Sequence, residues 1–144
     1  MPVFTNILVA IDGSDAGQRA LIRAVDEAKV WNARLHVIYV VETGLFSSVP
    51  ADNTIEIMYR VLEKEGNTAL EQAKKYASEK GVSITTHMKQ GDARSEIIST
   101  GEKEKADLIV VGSHGKSQAD RLFIGSVSTH VVTHSKITTM VVRS

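Results

Sequence analysis

Short apolar runs, each bounded by turn-forming residues, recur at regular intervals along the chain. The longest of them, residues 7–11 and 37–41, contain five residues each. The runs are rich in β-branched side chains, as is typical of strands buried on both faces of a parallel sheet. We predict five strands, at about residues 6–11, 35–42, 82–89, 108–111 and 138–143.

The segments between these runs have apolar residues at helical spacing. The positions are Leu21, Val25 and Ala28; Met58, Leu62, Ala69, Ala73 and Ala77; Ile97 and Ile98; and Val127 and Val131. Strands and helices therefore alternate, which predicts an α/β fold: one doubly wound, five-stranded parallel sheet with helices on both faces, Rossmann-like, in a single domain over residues 1–144.

Capping and breaking residues agree with these helices. Gly81 is placed to end the second helix, and Gly66 inside that helix costs about 1 kcal/mol relative to alanine, so a break or kink is expected near it. The irregular residues 43–53 are either a lid over a ligand or a loop folded onto the body. The candidate N-caps are Ser14 or Asp15, Asp52 or Asn53, Asp92, and Ser126.

Composition excludes several classes of protein. The 144 residues include no cysteine, which rules out a disulfide scaffold, a cysteine nucleophile and thiolate-ligated zinc. With 17 basic and 17 acidic residues, a duplex-DNA binder is not expected. No apolar run approaches the ~18 residues of a membrane span. Because Asp12 and Asp15 follow the first apolar run and no basic residue precedes it, we expect no signal peptide and a cytoplasmic protein.

The balanced charge is unevenly distributed. Residues 1–72 hold 6 basic and 10 acidic side chains, whereas residues 73–144 hold 11 basic and 7 acidic side chains. This distribution suits one small polyanion held by the second half of the chain.

The ends of the first and fourth strands carry the candidate chemistry. Ligands in open α/β sheets bind beyond the carboxyl ends of the strands, where strand order reverses. Asp12 follows the first predicted strand and Gly112 the fourth, so the two become neighbours if the fourth strand returns beside the first. The carboxylate of Asp12 is suited to accept a hydrogen bond from a base or sugar, or to hold Mg²⁺; alternatively it caps the following turn.

The segment after the fourth strand has the composition of a phosphate site. Gly112 and Gly115 permit close backbone approach to an anion, with positive φ angles that turn amides toward it, and His114 lies between them. Gly125 and Ser126 open the last helix, whose amides and dipole attract anions. The alternative is a strand-exit turn followed by an ordinary helix cap.

Several named motifs are absent. A Walker A loop requires glycine where the chain has Val110, and a nucleophile elbow at Ser113 requires glycine where it has Val111. No general base or nucleophile dyad is visible, so an enzyme is less expected than a binding protein.

The histidines do not indicate a metal centre in the sequence. His130 and His134 have the spacing of two metal ligands but no third ligand, and are better explained as exposed or interface residues. His36 and His87 occupy strand positions that indicate no function. We therefore expect no metal held by protein ligands alone.

The spacing Gly112-x2-Gly115-x9-Gly125-Ser126, together with Ile-Leu-Val-Ala-Ile-Asp-Gly-Ser at residues 7–14, resembles the ATP-binding branch of the universal stress protein family. The resemblance covers essentially the whole chain and implies the strand order 3-2-1-4-5. It also implies ATP, with AMP or ADP as alternatives and Mg²⁺ as the phosphate counter-ion. The implied nucleotide-binding residues are Ala10, Asp12, Val40 and Val111 at the adenine and ribose, Gly112, Gly115, Gly125 and Ser126 at the phosphates, and His114, Val127 and Ser128 close by.

The resemblance further implies a homodimer formed through the last strand, at Met140, Val141 and Val142. The function it implies is a nucleotide-dependent regulatory switch of the stress response. A slow ATP hydrolase, a protein that phosphorylates itself at Ser113 or Ser126, and a dimeric scaffold without nucleotide remain alternatives.

Overall fold

The computed structural model of the protein describes residues 3–43, 53–114 and 125–143. All strand pairings are parallel, in the order β3-β2-β1-β4-β5, which confirms the predicted fold class and strand order. The elements are β1 (Asn6–Ile11), α1 (Asp15–Trp31), β2 (Arg34–Glu42), α2 (Asn53–Glu79), β3 (Ile84–Gly91), α3 (Ala93–Lys103), β4 (Leu108–Gly112), α4 (Ser126–His134) and β5 (Thr138–Val142).

The sheet separates two apolar layers because successive side chains of a strand point to opposite faces. On one face, Val37 of β2 belongs to a buried cluster with Leu21 of α1 and residues of α2. On the other face, Ile38 belongs to a cluster with Ile97 of α3 and Val131 of α4. Both faces of the central strands are therefore covered, as the near-continuous apolar runs predict.

The third strand begins at Ile84, two residues later than predicted. Gly81 adopts the left-handed conformation with φ 77°, and the Val82 N–H donates to the carbonyl of Ala77 at 2.8 Å. This is a helix-ending arrangement in which the residue after the glycine returns to the last turn. Val82 is buried and belongs to this helix end, so it is not part of the strand.

Two of the predicted caps hold the expected positions, and one prediction is wrong. Ser14 caps α1, where its Oγ accepts from the Gly17 N–H at 3.0 Å, and Asp92 is the N-cap residue of α3. Ser126 is the first helical residue of α4, and Gly125 is its N-cap. Gly125 takes that place because its N–H donates to the Ser113 carbonyl while its backbone stays extended. Helix α2 begins at Asn53, so its cap position lies outside the described residues.

Helix α2 runs without interruption through Gly66, so the expected break is not observed. A Cβ at this position would lie 2.6 Å from Cε of Met88 and 2.8 Å from Cδ1 of Tyr39. Gly66 therefore allows α2 to pack closely against β2 and β3, which offsets its low helix propensity.

Across the described residues, no helix combines the length and apolar character needed to span a membrane. Most of the predicted lid or loop, residues 44–52, lies outside the described part of the chain.

Candidate functional site

A cavity of about 380 Å³ opens at the carboxyl ends of the strands, above the point where β1 separates β2 from β4. The structure brings residues of two distant segments together there, as the position of the switch point predicts. Gly115 lies outside the described residues. The other sequence-predicted residues all line this cavity: Ala10, Asp12, Val40, Val111, Gly112, His114, Gly125, Ser126, Val127 and Ser128.

The cavity has an apolar wall that the sequence analysis did not assign to the site. Ala93 and Ile97 of α3 and Leu62 of α2 line it together with Ile38 of β2. No local motif marks these residues, because their place in the cavity follows from how α2 and α3 pack on the sheet. The wall is suited to a flat, apolar group such as a heterocyclic base.

Strand β2 adds two polar side chains to the lining. Glu42, its last residue, is half-buried, and Tyr39, three residues earlier, is buried. Burial raises the pKa of Glu42 above its usual value, and the hydrogen bond from the Ala93 N–H to its Oε1, at 3.2 Å, opposes part of that rise. Burial also raises the pKa of Tyr39. The Glu42 carboxylate thereby links β2 to the first residue of α3 at the edge of the cavity.

Asp12 is held by the turn that follows β1. Its Oδ1 accepts from the Ser14 N–H at 2.9 Å and from the Ser14 Oγ at 2.5 Å, while Gly13 has φ 84°. The turn-capping role considered from the sequence is therefore present. The same arrangement fixes the carboxylate at the cavity wall, so the two roles of Asp12 are compatible.

Gly17 is a further site residue that the motif search did not select. A Cβ at Gly17 would lie 2.9 Å from Oδ1 of Asp12 and 3.3 Å from Oγ of Ser14. Any larger residue would displace the Asp12 carboxylate, since real Cβ atoms essentially never approach an oxygen so closely. The short spacing of Asp12, Ser14 and Gly17 in the sequence is the signal that could have identified this turn.

The reason for glycine at position 112 differs from the expected one. Gly112 does not have a positive φ; glycines with positive φ among the described residues are Gly13, Gly81 and Gly91. A Cβ on Gly112 would instead lie 2.8 Å from the backbone carbon and oxygen of Ala16. Glycine is needed here because β4 passes very close to the first turn of α1.

The residue after β4 connects the strand to the start of α4. The Ser113 N–H donates to the Val142 carbonyl at 2.9 Å, and the Ser113 carbonyl accepts from the Gly125 N–H at 2.5 Å and the Ser128 Oγ at 3.2 Å. Oγ of Ser113 lies 3.1 Å from Nδ1 of His114, and both side chains are buried. These contacts fix the start of α4 relative to β4 and β5.

Helix α4 directs its N-terminus at the cavity, which Ser126, Val127 and Ser128 line. The first-turn N–H groups of a helix have no acceptor within it, and the helix dipole places a partial positive charge there. Among the described residues, no side chain caps this end. The site can therefore accept an anionic group at α4 beside the apolar wall.

A family profile described as "Universal stress protein family" matches residues 4–143. The universal stress protein MJ0531 of Methanocaldococcus jannaschii is 38% identical over 98% of this chain and 83% of its own length. The chain belongs to the universal stress protein family.

Solved structures of the family agree with this assignment. The universal stress protein UspA from Lactobacillus plantarum superposes with a TM-score of 0.89 at 28% identity, over 96% of this chain and 97% of that protein. A universal stress protein solved in complex with cAMP has a TM-score of 0.69 at 27% identity and covers 97% of both chains. The likeness to both proteins extends over nearly the whole length.

Helix α4 carries the histidines His130 and His134, and neither of them lines the cavity. The two rings stack with centroids 4.0 Å apart, and His134 Nδ1 lies 3.1 Å from the His130 carbonyl. His134 is exposed.

Proposed function

We propose that this universal stress protein binds an adenine nucleotide, ATP with Mg²⁺ or its products ADP and AMP, and acts as a homodimeric regulatory switch. The observation that carries the proposal is the convergence of Asp12, Val111 and the N-terminus of α4 on one cavity. Its volume of about 380 Å³ falls in the range of small-molecule sites. The complex of a related protein with cAMP supports the same ligand class.

The cavity divides into parts that suit the parts of a nucleotide. Val40, Val111 and the wall formed by Ile97 offer apolar surface to adenine. Asp12 offers a carboxylate to the ribose hydroxyls or to Mg²⁺. The first-turn amides at Ser126 and Val127 offer donors to the phosphates.

The surroundings of Ser113 support nucleotide binding without transfer of a phosphoryl group to this residue. Ser113 is 1% exposed, its Oγ lies within hydrogen-bond distance of His114, and it does not line the cavity. Ser126 does line the cavity. A slow hydrolytic activity would be recognised by linear release of ADP over many turnovers, and phosphorylation at Ser126 by mass spectrometry.

The first experiment asks which ligand the protein carries. Heat denaturation of purified protein and mass spectrometry of the supernatant should release an adenine nucleotide, and titration of nucleotide-free protein with ATP and Mg²⁺ should show saturable binding. Failure of both would contradict the proposal.

The substitution Asp12→Asn tests whether Asp12 belongs to the nucleotide-binding site. Asparagine keeps an Oδ1 that can accept from Ser14, so the turn is retained while the charge is removed. We expect ATP affinity to fall about tenfold or more, the usual consequence of losing a charge-assisted contact. Asp15→Asn is the matched control, because it removes the same charge from an exposed residue that does not line the cavity. Equal affinity in both variants would remove Asp12 from the binding site.

A further inference from the structure

A second cluster of chemically active side chains lies on the same face of the sheet as α3. His36 of β2 and His87 of β3 approach each other so that Nδ1 of one lies 3.0 Å from Nε2 of the other. Glu104 follows the C-terminus of α3. One nitrogen from each imidazole and one oxygen of Glu104 all lie within 4.8 Å of one another.

This cluster is separate from the nucleotide cavity. His36 is two residues from the amino end of β2, and Ile38, the cavity-lining residue of β2 nearest to it along the strand, lies two residues further on. At about 3.3 Å per residue, the two positions are about 7 Å apart along the strand. None of the three residues lines the cavity.

We propose that His36, His87 and Glu104 form a binding site for a divalent transition-metal ion. The ion that we expect there is Zn²⁺. Two imidazoles and one carboxylate are a known zinc ligand set, with water in the remaining position of a tetrahedron. The sequence alone does not indicate this site, because its ligands come from three separate segments and share no motif.

The distances between the ligand atoms fit this ion. With metal–nitrogen bonds of about 2.0–2.1 Å, tetrahedral geometry separates two ligand nitrogens by about 3.3 Å. The nitrogens of His36 and His87 are already 3.0 Å apart. Glu104 needs the larger adjustment, and its half-buried side chain at a helix end has the freedom to make it.

The chemical state of the histidines also fits. Burial lowers the pKa of both His36 and His87, and this outweighs the opposing effect of Glu104. This shift favours the neutral imidazole, which is the form that binds metal. Without metal, one hydrogen joins the two facing nitrogens; a metal ion takes its place when both rings carry their hydrogen on the other nitrogen.

Asn6 of β1 holds Glu104 in place, since its Nδ2 donates to the Glu104 carbonyl. Asn6 pairs with Arg34 and therefore lies beside the amino end of β2, close in register to His36. Oδ1 of Asn6 is buried and is the one such side-chain atom without a hydrogen-bond partner among the described residues. A polar acceptor therefore lies next to the residue that carries the carboxylate ligand.

The test uses the full chain, freed of metal by chelation and of nucleotide by washing, with Zn²⁺ and Co²⁺ as probes. We expect one Zn²⁺ per chain by competition with a chromophoric chelator, a rise in Tm on adding Zn²⁺, and the visible absorption of tetrahedral Co²⁺. Absence of stoichiometric binding would overturn the proposal.

Variants identify the ligands. His87→Gln and Glu104→Gln should each weaken Zn²⁺ binding about tenfold or more and abolish the Co²⁺ band. Circular dichroism checks that each variant folds, and the half-buried Glu104 provides a readout if the His87 variant does not. The matched control is His130→Gln with His134→Gln, which removes the other close pair of histidines. Loss of binding in this control but not in Glu104→Gln would assign the metal to α4 and refute the site.

Discussion

Adding one methyl group at Gly112 tests the close contact between β4 and α1. In Gly112→Ala the new carbon would lie 2.8 Å from the backbone carbon and oxygen of Ala16 and 2.9 Å from its Cβ. Non-bonded carbons rest at about 3.5–4.0 Å, so strand and helix must separate by about 0.7 Å at this point. The obstructing atoms are mostly backbone, which cannot rotate away as a side-chain tip can.

Overpacking of this kind costs about 1–3 kcal/mol in the free energy of unfolding. For a domain of this size, that corresponds to a fall in Tm of about 3–10 °C. Urea denaturation followed by far-ultraviolet circular dichroism measures the change directly. The first turn of α1 also holds Asp12 through Ser14 and Gly17, so ATP affinity should fall together with stability.

Gly101→Ala is the matched control within the core. The atoms nearest to its Cβ would be the side-chain tips of Ile109 and Ile137, at 3.1 Å and 3.2 Å. These tips can shift, and alanine gains about 1 kcal/mol over glycine inside a helix. We therefore expect the control to remain within about 1 kcal/mol of the original protein. If Gly112→Ala is no less stable than Gly101→Ala, the close contact does not explain the glycine.

Three further predictions concern Asp107, Gly66 and the edge strand β5. Burial tends to raise the pKa of Asp107, but hydrogen bonds from the Thr5 and Asn6 N–H groups outweigh it and lower the pKa. Its stabilising effect is therefore present above the unfolded pKa and lost as pH falls through the folded pKa. Asp107→Asn should cost about 1 kcal/mol at pH 7 in urea denaturation and progressively less below about pH 4; a constant difference would refute this. Gly66→Ala should lower the free energy of unfolding by about 1 kcal/mol, because overpacking exceeds the gain in helix propensity; increased thermal stability would contradict this. Light scattering should give twice the 15.7 kDa chain mass if the proposed dimer forms through β5, and Val141→Pro, which removes an edge N–H, should give the monomer mass; a monomeric original protein would exclude that dimer.

The sheet could be predicted from sequence because its signals are local. The strand predicted at residues 6–11 contains an apolar run that ends at turn residues, and β1 has those same limits. The start of β3 was misplaced because Val82 is apolar in either setting. Only the hydrogen bond from Val82 to Ala77 distinguishes the end of a helix from the start of a strand.

The predicted part of the cavity lies at the carboxyl ends of β1, β2 and β4 and at the start of α4, which strand order brings to the same edge of the sheet. Ile97, Gly17 and the His36–His87 pair were not predicted as functional. Their positions depend on helix packing, on a close approach to Asp12, and on the register of β2 with β3. Helix packing and strand register are set by tertiary structure and leave no spacing in the sequence, whereas the spacing of Asp12, Ser14 and Gly17 could have indicated the turn at Gly17.

Helix α3 connects the two sites described above. Ala93 and Ile97 near its start line the nucleotide cavity, and Glu104 just beyond its end belongs to the proposed metal site. The helix is 11 residues long, so its ends are about 16 Å apart and move as one rigid element. A metal ion that fixes Glu104 against His36 and His87 would also fix the wall formed by Ile97. If that changes nucleotide affinity by some factor, thermodynamic linkage requires nucleotide to change metal affinity by the same factor.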